Sequence, residues 1–110
     1  MGRLKVSRNR SVTQASTKAT AVECSSDSGI ITMNAASLAA TTSVNFTVNN
    51  AYVAANDTVV ASIASGATAG SYTLNIDAVA AGSFRVHLRN VTAGALAEAL
   101  VINFSVIKNG

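Results

Sequence analysis

The sequence has one cysteine, one histidine and five acidic side chains in 110 residues, and charged groups make up only 12% of it. A single thiol, Cys24, forms no intrachain disulfide and supplies no thiolate cage for a metal, so packing has to hold the fold. Nucleophilic catalysis needs a base within hydrogen-bond reach and a third group to orient that base. With His87 alone and Glu23, Asp27, Asp57, Asp77 and Glu98 on five separate segments, no motif for such a triad is present. The expectation is a protein that is not an enzyme and has no cofactor or metal.

Long apolar runs are lacking too. No stretch approaches the ~20 apolar residues of a membrane span, and the polar "SVTQASTKATAV" follows the basic start where a signal peptide would place its apolar segment. The chain therefore reads as soluble, made in the cytoplasm and without a membrane partner. Five Asn-x-Ser/Thr triplets, at Asn9, Asn45, Asn56, Asn90 and Asn103, then follow from composition rather than from glycosylation. "SGATAGS" (65–71) lacks the Lys and the glycine spacing of a phosphate loop and reads as a flexible hairpin tip.

A chain of this length is one domain that buries roughly 60–70% of its unfolded surface. Its core is modest, because alanine supplies 21 of the residues counted in the 49% hydrophobic fraction. Small side chains remove little area each, at about 25 cal/mol per Å², which favours help from subunit contacts.

What charge there is sits unevenly. Residues 1–20 hold Arg3, Lys5, Arg8, Arg10 and Lys18 and no acid, whereas the remainder holds Arg85, Arg89 and Lys108 against the five acids, so an arm of +5 precedes a body of −2. A basic block at a terminus serves as a solvated tail, a nucleic-acid arm, a membrane-surface segment or a tether onto an acidic protein.

Beyond about residue 19 strand-like runs alternate with small polar turn clusters. "SVNFTV" sets Val44, Phe46 and Val48 on one face, "SYTLNID" sets Tyr72, Leu74 and Ile76, and "SFRVHLR" sets Phe84, Val86 and Leu88. This period-2 pattern predicts half-buried antiparallel strands. In "EALVINFSVIK" Leu100, Ile102, Phe104 and Val106 share one face while Val101 and Ile107 make the other apolar as well, so this strand is expected to be covered on both sides, by the second sheet and by a neighbouring subunit. Weaker strands fit at 19–24, 29–33 and 57–63, and the alanine-rich 93–100 reads as a turn or one helical loop. Spacing near ten residues with turns between predicts a β-sandwich or small barrel. An internal echo between 38–50 and 79–90, each ending in an alternating strand and Asn, suggests tandem hairpins.

On the strand at 83–89, Arg85, His87 and Arg89 face away from the core. Three stacked donors at i, i+2 and i+4 suit a carboxylate, phosphate or sulfated glycan, or else a subunit contact where the arginines pair with acids such as Asp77 or Glu98. Nucleic-acid modules interleave basic with aromatic residues on a sheet; here Phe46, Tyr72, Phe84 and Phe104 fall on core faces, which argues against nucleic acid as partner.

From about Val12 to Lys108, in "SVTQASTKATAV", "SGIITMNAASLAATTSVNFTVNN" and "NDTVVASIASGATAGSYTLNIDAVAAGSFRVHLRNVTAGALAEALVINFSVIK", the chain resembles small β-rich virion proteins of tailed bacteriophages. These include capsid decoration (cement) proteins and head- or tail-fibre modules. The resemblance implies an all-β chain folded as an antiparallel β-sandwich, jelly-roll-like, of seven or eight strands. It also implies a homotrimer on the outside of a phage head, with the major capsid protein as partner, or at a fibre tip. A chain with Met1 and about 18 residues before its first strand suits clamping onto a lattice better than extending a shaft. The expected organisation is a basic extended arm over 1–18, anchored through Arg3, Lys5, Arg8, Arg10 and Lys18, and a β-sandwich domain over 19–110.

Overall fold

The computed structural model describes residues 10–109. Eight strands and no helix make up this part of the chain: β1 (Arg10–Thr13), β2 (Val22–Glu23), β3 (Ser28–Thr32), β4 (Ser43–Asn49), β5 (Thr58–Ser65), β6 (Tyr72–Ala80), β7 (Ser83–Asn90) and β8 (Val101–Ile107). They form two four-stranded sheets, a first in the order β1-β3-β8-β5 and a second in the order β2-β4-β7-β6. The alternation read from the sequence is met in β4, β6, β7 and β8. Phe46, Val48, Phe84, Val86, Leu88, Leu100, Ile102 and Phe104 are all buried between the sheets, with Val44 packed partly buried against them.

The antiparallel pairing expected from the alternation holds among β4, β6 and β7, whereas the antiparallel sandwich that the resemblance implies is corrected at one edge of each sheet. β1 runs parallel to β3, and β2 parallel to β4; the other four pairings are antiparallel. The cause is the path of the chain. From β1 to β6 each connection crosses to the other sheet, so strands two apart in sequence return to the same sheet, and β1/β3 and β2/β4 become parallel neighbours. A jelly roll pairs its strands antiparallel throughout, so that finer likeness does not describe these edges. Among the described residues the one in-sheet hairpin is β6–β7. The two echoing segments are therefore not tandem hairpins; their strands, β4 and β7, lie side by side in the second sheet.

A strand forms ahead of the boundary expected at residue 18. β1 takes its four residues from the presumed arm and pairs in register with β3, Arg10 opposite Gly29 through Thr13 opposite Thr32. Val12 packs against the core, which is the apolar anchor that binds this edge strand to the sandwich. Residues 93–100 hold no helix, and Leu96 pairs with Leu38 by two backbone hydrogen bonds of 2.8 and 3.0 Å.

Across the sandwich, Phe84 of the second sheet meets Phe104 of the first edge to face, with ring centroids 5.3 Å apart. Burying each ring contributes about 1.5–3 kcal/mol, and the edge-to-face contact ties the two sheets together. Two asparagines close the strands of the echo. Asn50 and Asn90, 1% and 0% exposed, follow or end β4 and β7 and bond to loops beyond them: Asn50 donates to Ser26 O, and Asn90 to Leu38 O and Gly94 O.

Candidate functional site

The polar face of the second sheet carries the predicted cluster. Arg85, His87 and Arg89 project outward from β7 because Phe84, Val86 and Leu88 fill the inward positions. Register places Thr47 and Asp77 on either side of Arg85, Asn45 and Asn75 beside His87, and Ser43 and Thr73 beside Arg89. Asp77 binds two of these three side chains: its Oδ1 lies 3.3 Å from Arg85 Nε, and its carboxylate 2.9 Å from His87 Nε2. Partial burial pushes the Asp77 carboxyl up, but His87 and Arg85 together outweigh it and hold the group below its ordinary value. The pairing register shifts directly after Asp77, with Ala78 at φ 52°, and such bulges re-aim neighbouring side chains. Arg89 makes only a long 3.4 Å bond to Ser43 Oγ and, among the described residues, no ion pair.

Of the five expected anchors, Arg3, Lys5 and Arg8 lie outside the described residues. Arg10 opens β1 and is exposed. Lys18 is a correction: it is 3% exposed, and its Nζ donates to the carbonyls of Asn34 and, at 2.6 Å, of Glu98. Burial lowers its pKa, with the Glu98 charge acting in the opposite direction. Gln14, 2% exposed, completes this clasp by donating to Lys18 O and Thr20 O and accepting from Asn34 N at 2.9 Å. A side chain held this way fastens the 14–20 loop to the body and is not available to a partner.

Two acids of the body, Glu98 and Asp57, are likewise engaged internally. Glu98 accepts from Thr68 Oγ1 at 2.7 Å, Tyr72 Oη at 2.8 Å and Thr68 N at 3.1 Å, and these bonds, the Thr68 hydroxyl foremost, hold its carboxyl low. Burial, reinforced by the carboxylate beside it, drives the Tyr72 phenol far above its ordinary range. Glu98 thus knits the 66–71 tip to the 93–100 loop and does not reach the β7 arginines, whereas Asp77 does. The Asp57 side chain is 1% exposed and takes Lys108 Nζ at 2.6 Å, which depresses its carboxyl together with Ala54 N–H. Lys108 also donates to Tyr52 O and lies 4.9 Å from the Tyr52 ring centre.

A feature that the sequence reading missed is the contrast between the two outer faces. Charged residues on the second sheet's strands, Glu23, Asp77, Arg85, His87 and Arg89, sit among its outward positions, whereas the first sheet's strands hold a single charged residue, Arg10, in register with inward-facing Gly29. The first sheet's outer face is Ser, Thr, Asn, Val and Ile. Among the described residues no group of three or more His, Cys, Asp or Glu could hold a metal, and no helix is long and apolar enough to cross a membrane. No protein-family model, curated protein or solved structure matches the chain.

Proposed function

We propose that this chain is a structural virion protein, a capsid decoration (cement) protein that binds the outer surface of a phage head as an oligomer and stabilises the shell. The observation that carries this reading is the use of the body's charges. Asp57 is neutralised by Lys108, Arg10 is exposed where β1 begins, and Arg89 has no acidic partner among the described residues. That is a distribution for gripping an acidic surface, with Arg3, Lys5, Arg8 and Arg10 as the tether. Each exposed pair contributes about 1 kcal/mol or less, and many subunits on one lattice multiply the effect. The major capsid protein is the partner in this reading. Broad sheet faces without an aromatic platform suit a protein surface better than a nucleic acid, since Phe46, Phe84 and Phe104 are buried.

The test is a deletion of residues 2–9, which leaves β1 intact, with occupancy measured on purified phage heads lacking the protein. Loss of binding at moderate salt is expected; unchanged occupancy removes the tether.

A second reading, an adhesin module at a head or tail fibre that binds a host glycan or receptor, is favoured by the Arg85, His87 and Arg89 face, where Arg89 has no acidic partner among the described residues. Particles without the protein separate the two. Loss of heat or osmotic resistance supports the cement role, and loss of host adsorption with intact shells supports the adhesin.

A further inference from the structure

We propose that the outer face of the first sheet is the surface on which two copies of this chain meet, with Val60 and Ile107, at its β5 edge, as the apolar contact. This deepens the oligomeric part of the reading above and stands independently of the capsid part.

The two side chains are 48% and 49% exposed. They are also neighbours. Val60 pairs with Ser105 and Thr58 with Ile107, so Val60 and Ile107 lie diagonally adjacent on one face, within reach of each other and of any side chain set against both. Beside them the face dips into a depression of about 220 Å³, walled by Val60, Ser62, Asn103 and Ser105 with Ala61 and Phe104 beneath. An apolar projection and an apolar-floored hollow therefore stand side by side, the arrangement in which one copy's projection enters the other's hollow across a two-fold axis.

The chemistry of the face selects a second copy as occupant. No charge is present, so two such faces meet without burying like charges or leaving an ion unpaired. Serine, threonine and asparagine side chains each donate and accept, so identical groups satisfy one another when the surface is repeated. The second sheet's face lacks this property, because meeting itself would bring Arg85 and Arg89 against the same cations. The outer edge adds a further reason. β5 ends the first sheet with "TVVASIAS", eight residues without a charge or a proline, and its one irregularity, a register shift between Ile63 and Ser65, leaves the Thr58–Ile63 stretch of the edge regular. Its four strands, of four, five, seven and eight residues, span a face of about 20 by 20 Å, roughly half of the ~800 Å² that a stable pair takes from each partner, which puts the contact at the weak end of specific pairs.

Sedimentation velocity of the full chain over rising concentration tests the interface, using Val60→Lys, Ile107→Lys and, on the opposite face, Asn75→Lys. Wild type and Asn75→Lys assemble, while Val60→Lys and Ile107→Lys weaken self-association by about a hundredfold or more. A wild type that stays monomeric to about 1 mM, or assembly indifferent to both lysines, overturns the proposal. Should the lysine variants lose their β-sheet circular dichroism, hydrogen exchange on the wild type decides. Protection that rises with concentration in β5 and β8 supports the interface, and protection confined to β4, β6 and β7 overturns it. A monomer that still occupies phage heads refutes this interface alone, and an assembled protein that ignores heads refutes the capsid reading alone.

Discussion

Gly29 and Phe104 face each other as registered partners across β3 and β8, and the Phe104 ring occupies the space where a side chain on Gly29 would stand. A Cβ placed there falls 2.7 Å from Phe104 Cε2 and 2.7 Å from Cys24 Sγ. The glycine makes room for the ring that also meets Phe84 from the other sheet. Overpacking of this kind costs about 1–3 kcal/mol, so Gly29→Ala lowers Tm by roughly 5–15 °C. Combining it with Phe104→Leu recovers part of the loss. Thermal melts of the two singles and the double check the coupling, and simple additivity would refute the contact.

Lys18 is expected to matter for folding and not for attachment. Replacing it with methionine leaves the carbonyls of Asn34 and Glu98 without their donor in a buried site, at a cost of about 1–3 kcal/mol. Urea denaturation of Lys18→Met should show that loss, while occupancy of the folded variant on phage heads equals wild type. Reduced occupancy with unchanged stability would return Lys18 to the tether.

How much of this was legible follows from the range of the interactions. The faces of β4, β6, β7 and β8 are local facts, written in alternation, and so is the outward setting of Arg85, His87 and Arg89. β1 escaped notice because "RSVT" offers one inward anchor, Val12. The run at 19–24 shrinks to Val22–Glu23. Lys18 read as a surface charge because the carbonyls that hold it belong to Asn34 and Glu98, the latter eighty positions away. Only the β8 part of the uncharged face, Val101 and Ile107, was legible; the whole exists once β1, β3, β5 and β8 share a sheet, and strand order is a long-range outcome that no alternation encodes.

Acid should weaken the fold through Glu98. Hydrogen bonds from Thr68 and Tyr72 hold its folded-state carboxyl below the ordinary value of 4.5. As pH falls, the unfolded chain takes up this proton first, so the stability that Glu98 supplies is full above that value and disappears as pH drops through the folded one. Asp57, depressed from 3.8 by Lys108, acts in the same direction at lower pH. Urea midpoints recorded from neutral pH down to about pH 3 should fall at the acid end for wild type. Glu98→Gln starts lower at neutral pH and loses less. An acid limb identical in the two proteins would refute the assignment.

Asn90 is the polar side chain on which the 91–97 loop depends. Its amide is saturated: Nδ2 donates to Leu38 O at 3.0 Å and Gly94 O at 2.9 Å, and Oδ1 accepts from Thr92 N at 2.9 Å and Thr92 Oγ1 at 2.7 Å. Asn90→Ala removes one of the two donors to each carbonyl, Leu38 O keeping Leu96 N and Gly94 O keeping Thr92 Oγ1, and it takes the acceptor from the Thr92 amide, a loss of about 1–3 kcal/mol. Asn90→Asp is worse at neutral pH, because a carboxylate has no proton to give and sets its charge against both carbonyls. Asn50 makes one donated and one accepted side-chain bond, to Ser26 O and from Tyr52 N, so Asn50→Ala should cost less than Asn90→Ala. Chemical denaturation gives the order, and hydrogen exchange separates cause from effect. In Asn90→Ala the amides of Thr92 and Leu96 should open well before the β7 ladder, since Leu96 bridges to Leu38, the residue whose carbonyl Asn90 holds.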